Sequence, residues 1–326
     1  MKILVAHDGS QYSESALVSL RLAGLPSDTE VHVLSVLDDQ SIRCGSATGG
    51  AETGGQRQPD SGEDYERQLA IARRGADLIR SLFPSWAVTA EVRVGSPALE
   101  IIKCAEGDDG QAGARPFDLV VVGSRGLGGL KRLLLGSVAH RIVTTLRGSV
   151  RVSRGRQDRL NFPPESDETS APRLIVGVDG SPDAHAAVEV IASRSWPVGT
   201  RVVVASFETG PLTFVSQQVD NTIWGGAPLS SDSPAVSGRP ALRVVSEAAD
   251  FLRLQRPELL VTTLVNPAHP QYGLLEAAET CDKNGADCIF VGATGHRGIV
   301  RFLLGSVSTT VAMNANCSVE IVRRGT

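Results

Sequence analysis

The sequence predicts an α/β fold made of two tandem doubly wound domains, each a five-stranded parallel sheet with helices on both faces. Three observations support this fold class. The chain has 326 residues, about twice the length of a common single domain. Val- and Ile-rich segments alternate with Ala- and Leu-rich ones, which is typical of a parallel sheet covered by helices. The same order of segments then occurs twice.

The repeat is clearest at the first strand of each half. Ile3–Ser10 aligns with Leu174–Ser181, and both segments end in Asp-Gly-Ser. Further on, each half contains a Gly-x-x-Gly segment, nine residues and a Gly-Ser pair, in the same order. We therefore predict domains over 1–153 and 172–326. The residues between them, 154–171, are polar, contain prolines and lack periodicity, which indicates a linker.

Each predicted domain contains five strands separated by helices. The strands of the first domain are expected at Ile3–Ala6, Val31–Val36, Val88–Val94, Leu119–Val122 and Val150–Val152. Those of the second domain are expected at Leu174–Val178, Val202–Phe207, Leu259–Val265, Cys288–Val291 and Val319–Val322. Helical crossovers between parallel strands imply right-handed units.

Helical spacing is most regular over Glu63–Phe83, where apolar residues recur every three or four positions. A long stretch rich in Gly, Ser and Pro follows the second strand of each domain, at 38–62 and at 208–240. Such long connections are either functional lids or disordered segments.

Composition and charge narrow the function classes. A formal net charge of −4 disfavours a protein that coats nucleic acid. No apolar stretch approaches the roughly 20 residues that span a bilayer, and the first strand begins at once, without a secretion signal. The five cysteines form no C-x-x-C pair, so no metal site is predicted. We expect a cytoplasmic protein that binds neither nucleic acid nor membrane.

A set of glycines follows the fourth strand of each copy. It comprises Gly123, Gly126 and Gly136 with Ser137 in copy one, and Gly292, Gly295 and Gly305 with Ser306 in copy two. Glycine lets the backbone turn sharply and approach a ligand closely. The two serines are suited to cap the last helix, whose N terminus attracts phosphate. Nearby positive charges are Arg125, Lys131 and Arg132 in copy one, and His296, Arg297 and Arg301 in copy two.

Simpler interpretations exist for these residues. Each glycine alone could form a turn without a ligand. Asp8 and Asp179 could form an Asx turn at the entry to a helix, because Asp-Gly-Ser is common there, and this role is compatible with ligand binding.

The Gly-x-x-Gly, nine-residue, Gly-Ser pattern resembles the ATP-binding signature of universal stress proteins, and both copies match it. The resemblance covers nearly the whole chain apart from the linker and the long loops. It implies an adenine nucleotide alpha hydrolase-like fold and a bound adenine nucleotide (ATP, AMP or ADP), with or without Mg²⁺. The implied nucleotide-binding residues are Ala6, Asp8, Val36, Gly123, Arg125, Gly126, Gly136, Ser137 and Val138, and in copy two Asp179, Phe207, Gly292, Gly295, Gly305, Ser306 and Val307.

Within this set, the resemblance assigns the adenine end to Asp8 and Asp179 and to the backbone at Val36 and Phe207. Copy two departs from the pattern in two places. Ala268-His269-Pro270 replaces the Gly-x-Pro turn that copy one keeps at Gly95-Ser96-Pro97, and Thr294 replaces Arg125. We therefore expect copy one to bind more strongly.

The resemblance implies a nucleotide-loaded regulatory module of the stress response. We expect no enzyme, because the sequence has no Walker motif, no Rossmann glycine motif after the first strand and no G-x-S-x-G elbow. Two alternatives stay open. One is an interaction module of the same fold that binds no nucleotide, and the other is slow nucleotide hydrolysis.

Universal stress domains commonly pair through their last, edge strands. An exposed edge strand invites pairing, and a tandem chain contains two such strands. We expect Val150–Val152 to pair antiparallel with Val319–Val322, which would bring Arg151 near Glu320. A homodimer is a further possibility.

Overall fold

The computed structural model describes residues 1–38, 61–107, 116–126, 135–154, 171–208, 240–281, 285–295 and 304–324. The chain divides into two compact units. Unit 1 comprises Met1–Arg21 and Pro26–Ser153, and unit 2 comprises Leu22–Leu25 and Arg154–Thr326. The two long stretches and most of the expected linker lie outside the described residues. So do five of the predicted positive charges, Lys131, Arg132, His296, Arg297 and Arg301.

Unit 1 alternates strands with helices. Its elements are β1 (Lys2–Ala6), α1 (Gln11–Ser19) with a 3₁₀ turn at Leu20–Leu22, β2 (Glu30–Leu37), α2 (Ser61–Leu82), β3 (Ala87–Val94), α3 (Pro97–Glu106), β4 (Leu119–Gly123), α4 (Ser137–Thr145) and β5 (Ser149–Ser153). The strands are all parallel and lie in the order β3-β2-β1-β4-β5. This order reverses direction between β1 and β4, which is the switch point of a doubly wound sheet.

Unit 2 repeats this arrangement. Its elements are β6 (Arg173–Gly177), α5 (Pro182–Ser193), β7 (Arg201–Phe207), α6 (Pro240–Gln255), β8 (Leu260–Asn266), α7 (Pro270–Thr280), β9 (Cys288–Gly292), α8 (Ser306–Asn314) and β10 (Ser318–Val322). The parallel strand order is β8-β7-β6-β9-β10. The predicted fold class is confirmed, and each predicted strand end lies within one residue of the observed one.

The central strands account for the apolar runs from which the parallel sheet was predicted. Ile3–Val5 in β1 and Leu174–Val176 in β6 are fully buried. A parallel strand covered by helices on both faces has no solvent side, so its sequence is a continuous apolar run. None of the helices in the described ranges is long and apolar enough to cross a membrane.

The last strand of unit 2 contains a buried ion pair. Glu320 lies in β10 with 1% of its surface exposed, and Arg194 follows α5 with 2% exposed. Nη1 of Arg194 donates to Oε2 of Glu320 at 3.0 Å, and Nη2 donates to Oε1. Thus the Glu320 carboxylate already has a cationic partner inside its own unit. The expected pairing of the two last strands, with Arg151 near Glu320, stays a prediction.

Candidate functional site

The predicted site residues lie at the carboxyl ends of the central strands. Asp8 and Asp179 follow β1 and β6 by two residues, while Gly123 and Gly292 are the last residues of β4 and β9. The two glycines were expected just after those strands, so this boundary is corrected by one residue. Parallel sheets bind ligands at this edge, beside the switch point.

Each aspartate organises the turn into the next helix. Oδ1 of Asp8 accepts the N–H of Ser10 at 3.0 Å, and Oδ1 of Asp179 accepts that of Ser181 at 2.8 Å. The intervening Gly9 has φ +77°, a left-handed conformation that favours glycine. The Asx-turn interpretation is therefore confirmed, and it uses one carboxylate oxygen in each copy.

The second carboxylate oxygen lies against Gly126 or Gly295. These glycines belong to the segment between the fourth strand and the last helix of each copy, 123–136 and 292–305, which we call the glycine loop. A Cβ atom on Gly126 would come within 2.6 Å of Oδ2 of Asp8, and one on Gly295 within 2.8 Å of Oδ2 of Asp179. With any larger residue at these positions, the backbone or the aspartate side chain would have to shift. In each copy, the aspartate and the glycine are far apart in the sequence but close together in the structure, as expected for residues of one site.

The last helix of each copy begins with glycine in the capping position. Gly136 is the N-cap of α4 and Gly305 is the N-cap of α8, with extended backbone (φ −62° and −65°). Each glycine N–H donates at 2.8 Å to the carbonyl of the residue after the preceding strand, Ser124 or Ala293. These bonds hold both ends of the glycine loop together.

The predicted capping role of Ser137 and Ser306 is wrong. Both serines are exposed and already helical, as the first residues of α4 and α8, so their hydroxyls do not occupy the N-cap position. Among the described residues no side chain caps either helix. The N–H groups of the first turn therefore have no serine cap, and such groups attract anions.

The two copies differ beside the glycine loop. In unit 1, Nη1 of Arg125 lies 3.3 Å from the hydroxyl of Tyr12, and the guanidinium lies 5.2 Å from the ring centroid. In unit 2 the corresponding residues are Thr294 and Asp183. The Asp183 Oδ2 accepts the Thr294 N–H at 3.1 Å and its hydroxyl at 2.6 Å. Unit 1 thus presents a cation here, where unit 2 presents a carboxylate.

Two arginines after β10 compensate part of that negative charge. Nε of Arg324 lies 3.8 Å from Oδ1 of Asp183. Burial lowers the pKa of Arg323, and the nearby Asp183 carboxylate partly offsets this effect. The Asp183 carboxylate is therefore held by Thr294 and lies near Arg324 within unit 2.

The expected base end lies at the end of β2 in unit 1. Because the Leu34 carbonyl accepts the His7 N–H at 2.9 Å, the Val36 carbonyl faces the same side, beyond the end of β1. The Val36 carbonyl accepts a hydrogen bond from Nε2 of Gln68 on α2 at 3.3 Å. The same Nε2 donates to Oγ of Ser35 at 2.6 Å. Gln68 was not predicted, because its role depends on the packing of α2.

In unit 2 the end of β7 carries Phe207, whose ring presses on α7. A Cβ atom on Gly273 would lie 2.3 Å from Cδ1 of Phe207, so only glycine fits beneath the ring. The remaining predicted residues, Ala6, Val138 and Val307, are half-buried, at the end of β1 and in the first turns of α4 and α8. Both copies therefore assemble the predicted set at one edge of the sheet.

A family model described as the universal stress protein family matches residues 1–154 and 253–323. The chain belongs to the universal stress protein family.

Individual relatives agree with this assignment. A universal stress protein of Mycolicibacterium smegmatis (strain ATCC 700084 / mc(2)155) is 30% identical over 238 residues, which cover 72% of this chain and 69% of the relative. One from Mycobacterium bovis (strain ATCC BAA-935 / AF2122/97) is 28% identical over 212 residues, covering 64% and 60%. The aligned regions thus span 60% to 69% of these curated relatives' length.

A solved universal stress protein structure shows the same fold. It comes from Archaeoglobus fulgidus DSM 4304 and matches with a TM-score of 0.62 at 19% identity, covering 99% of this chain and 98% of that chain. At this identity the likeness supports the fold alone.

Sequence reasoning also missed His7 in this universal stress protein. His7 is 2% exposed, and neither ring nitrogen has a hydrogen-bond partner among the described residues. Its ring packs on α2, where a Cβ on Gly75 would lie 2.7 Å from Cδ2 of His7. Burial lowers the pKa of His7, while the negative charges of Asp8 and Glu14 oppose the shift. The signal was present in the repeat, since copy two has Val178 at this position.

Proposed function

We propose that this universal stress protein binds an adenine nucleotide in each unit and acts as a nucleotide-loaded regulatory module of the stress response. One observation carries the proposal. In both units a glycine in the N-cap position leaves the first turn of a helix without a side-chain cap, beside a second glycine that packs on an aspartate. This arrangement suits a polyanion at one end and a polar base or sugar at the other.

The phosphates would lie at the N terminus of α4 in unit 1 and of α8 in unit 2. Main-chain N–H groups near Gly136 and Gly305 would donate to them, and Arg125 would add a cation in unit 1. A helix-end charge interaction contributes only about 0.3–1 kcal/mol, whereas micromolar binding needs about 8 kcal/mol. The adenine end must therefore supply much of the affinity, through Asp8, Val36 and their unit 2 counterparts.

The fit of a nucleotide differs between the units. In unit 1 the residues beside the loop fit a polyanion, because Arg125 supplies a cation that contacts Tyr12. In unit 2 the Asp183 carboxylate occupies that position and is held by Thr294. Repulsion between Asp183 and phosphate lowers the affinity there, and Arg324 offsets it only in part. We propose that unit 1 is the stronger site.

We further propose binding without organised catalysis, in the cytoplasm. Walker and hydrolase motifs are missing from the sequence, so no lysine is positioned by a Walker loop on the β- and γ-phosphates. Mg²⁺ would accompany ATP as a counter-ion. Pairing of Val150–Val152 with Val319–Val322, and a homodimer, belong to the same proposal as ways to assemble the module.

Nucleotide released from the purified, heat-denatured full-length protein tests the proposal by mass spectrometry. Calorimetric titration of the stripped protein with ATP and with AMP then gives stoichiometry and affinity. We expect two unequal sites. Gly126→Val with Gly136→Val should remove the stronger one, and Gly295→Val with Gly305→Val the weaker one.

Gly148→Ala is the matched control, because a Cβ there approaches no atom outside its chain neighbours closer than 3.9 Å. Binding that survives both pairs of substitutions, or a stripped protein that takes up no adenine nucleotide, would leave an interaction module of the same fold. Steady turnover of ATP that the valine variants abolish would instead indicate an enzyme.

A further inference from the structure

Three potential metal ligands from separate elements of unit 1 meet in space. They are His32 on β2, Glu91 on β3 and Cys104 on α3, and their ligand atoms all lie within 4.8 Å of one another. None of the three belongs to the proposed nucleotide-binding set. We propose that His32, Glu91 and Cys104 form a binding site for a divalent transition metal ion, with Zn²⁺ as the best match.

The donor set matches Zn²⁺ chemically. Imidazole nitrogen, carboxylate oxygen and thiolate sulfur are the three ligand types that zinc takes in proteins, at about 2.0–2.3 Å. Ca²⁺ and Mg²⁺ prefer oxygen ligands alone. The nitrogen and sulfur ligands of this site therefore disfavour both ions. A thiolate and a carboxylate would neutralise the ion, and water would complete a tetrahedral shell.

The surroundings of His32 orient it as a metal ligand. Its Nδ1 lies 2.8 Å from Oγ1 of Thr89, and Oγ1 of Thr89 lies 3.4 Å from the carbonyl of Val31. If the threonine donates to that carbonyl, it accepts the Nδ1 proton of the neutral ring, which leaves a lone pair on Nε2. This is the arrangement in which an outer oxygen fixes the tautomer of a metal-binding histidine.

The Nε2 lone pair would then face the Glu91 carboxylate. Nε2 lies 2.8 Å from Oε2 of Glu91, while the other carboxylate oxygen lies 2.6 Å from Nε of Arg93. Two acceptors in such proximity repel each other unless a cation or a proton lies between them. Arg93 fixes Oε1, so Glu91 would bind the metal through Oε2 alone.

The three ligands differ in their exposure to solvent. Cys104 is 4% exposed, whereas the side chains of His32 and Glu91 are 19% and 37% exposed. A metal ion would enter past the histidine and carboxylate and reach the thiol at the base. Binding would tie α3 to two strands of the sheet, so the metal would stabilise unit 1.

The second copy provides an internal comparison. By strand register and helix alignment, the corresponding positions hold Val203, Leu264 and Ala277. All three ligand types have apolar counterparts, while Thr89 is matched by Thr262. The ligand set is thus complete in unit 1 and lost entirely in unit 2, which predicts one metal ion per chain.

Equilibrium dialysis of the full-length protein against Zn²⁺ alone, followed by metal analysis, tests the proposal. We expect one Zn²⁺ per chain and a raised thermal unfolding temperature. His32→Val, Glu91→Leu and Cys104→Ala copy unit 2 and should each abolish binding at concentrations that saturate the wild type. Thr89→Val should weaken it by about 10- to 100-fold, as outer-shell substitutions do.

Cys317→Ala is the control, since it removes a buried thiol of unit 2. It should leave Zn²⁺ binding unchanged. Co²⁺ in place of Zn²⁺ should give a thiolate charge-transfer band that Cys104→Ala eliminates, provided circular dichroism shows that the variant is folded. Wild-type protein that retains no Zn²⁺ on dialysis, or folded Cys104→Ala and Glu91→Leu variants that bind it as tightly as the wild type, would overturn the proposal.

Discussion

Units 1 and 2 have the same order of strands and helices but differ in several pairs of contacting side chains. Beside the glycine loop, Arg125 with Tyr12 becomes Thr294 with Asp183. At the end of the first strand, unit 1 has His7 packed on Gly75. The corresponding residues of unit 2 are Val178 and Ala248. The described ends of the loop make the same main-chain bond in both copies, from Gly136 N–H to Ser124 and from Gly305 N–H to Ala293. After duplication, therefore, the bond between the loop ends was kept while the charge beside it diverged.

The largest effect is expected from the buried ion pair of unit 2. Arg194→Leu removes the guanidinium that forms two hydrogen bonds with the buried Glu320 carboxylate, and it should lower the unfolding free energy of unit 2 by about 3–5 kcal/mol. Scanning calorimetry of the full chain would measure this. Arg243→Leu is the matched control, because its side chain is 68% exposed, and it should cost less than about 0.5 kcal/mol. Equal losses in both variants would contradict the assignment.

The His7–Gly75 contact should show the next largest effect. Gly75→Ala drives a methyl group into the imidazole ring and should destabilise unit 1 by about 1–3 kcal/mol. In a His7→Val background the clash is removed, and alanine should then gain about 0.5–1 kcal/mol from its helix propensity. Urea unfolding of the four proteins in this double-mutant cycle gives the coupling. Additive free energies would show that the two residues do not contact each other.

Exchanging the loop pair should alter the proposed nucleotide affinities. Tyr12→Asp with Arg125→Thr copies unit 2 and should weaken the stronger site by about 10-fold, or about 1.4 kcal/mol. Asp183→Tyr with Thr294→Arg should strengthen the weaker site. Titration with ATP at two salt concentrations measures both, and the difference should shrink at high salt. Unchanged affinities would show that these residues do not approach phosphate.

The smallest effect concerns the pH dependence of stability. The unfolded chain protonates His7 near its ordinary pKa of about 6.5, whereas the folded chain does so only at lower pH because burial lowers the pKa. Stability therefore falls as the pH decreases below about 6.5. His7→Val should reduce this loss, as judged by urea midpoints between about pH 7.5 and pH 5.5. Asp8, Glu14 and Arg74 interact with the ring and stay in place. Parallel pH profiles would argue against a neutral buried His7.

The sequence predicted the strands and the glycine positions well, because parallel strands and turns leave strong local patterns. The fully buried Ile3–Val5 is an apolar run, and Gly126 occurs where a Cβ atom would come within 2.6 Å of the Asp8 carboxylate. The capping residue was misplaced, because Gly-Ser is compatible with either residue at the N-cap. The contacts of Gln68 and Asp183 could not be predicted, since they depend on how helices pack on the sheet.

The His32–Glu91–Cys104 group was missed for the same reason. Its members are widely separated in the sequence and fit no metal-ligand spacing, so a motif search predicts no metal site. Strand register and the packing of α3 bring them together. A comparison of the two copies position by position would have identified these polar residues opposite apolar ones.

In the proposed nucleotide site, the Val36 carbonyl has a consequence for the choice between purines. A carbonyl oxygen has two lone pairs, and the Gln68 amide contacts this one at 3.3 Å. A base that meets the remaining lone pair has to offer a hydrogen. The exocyclic amino group of adenine does so, whereas the keto oxygen of guanine or hypoxanthine would be repelled at the same spot. We therefore expect this single main-chain oxygen to reject GTP and ITP while it accepts ATP.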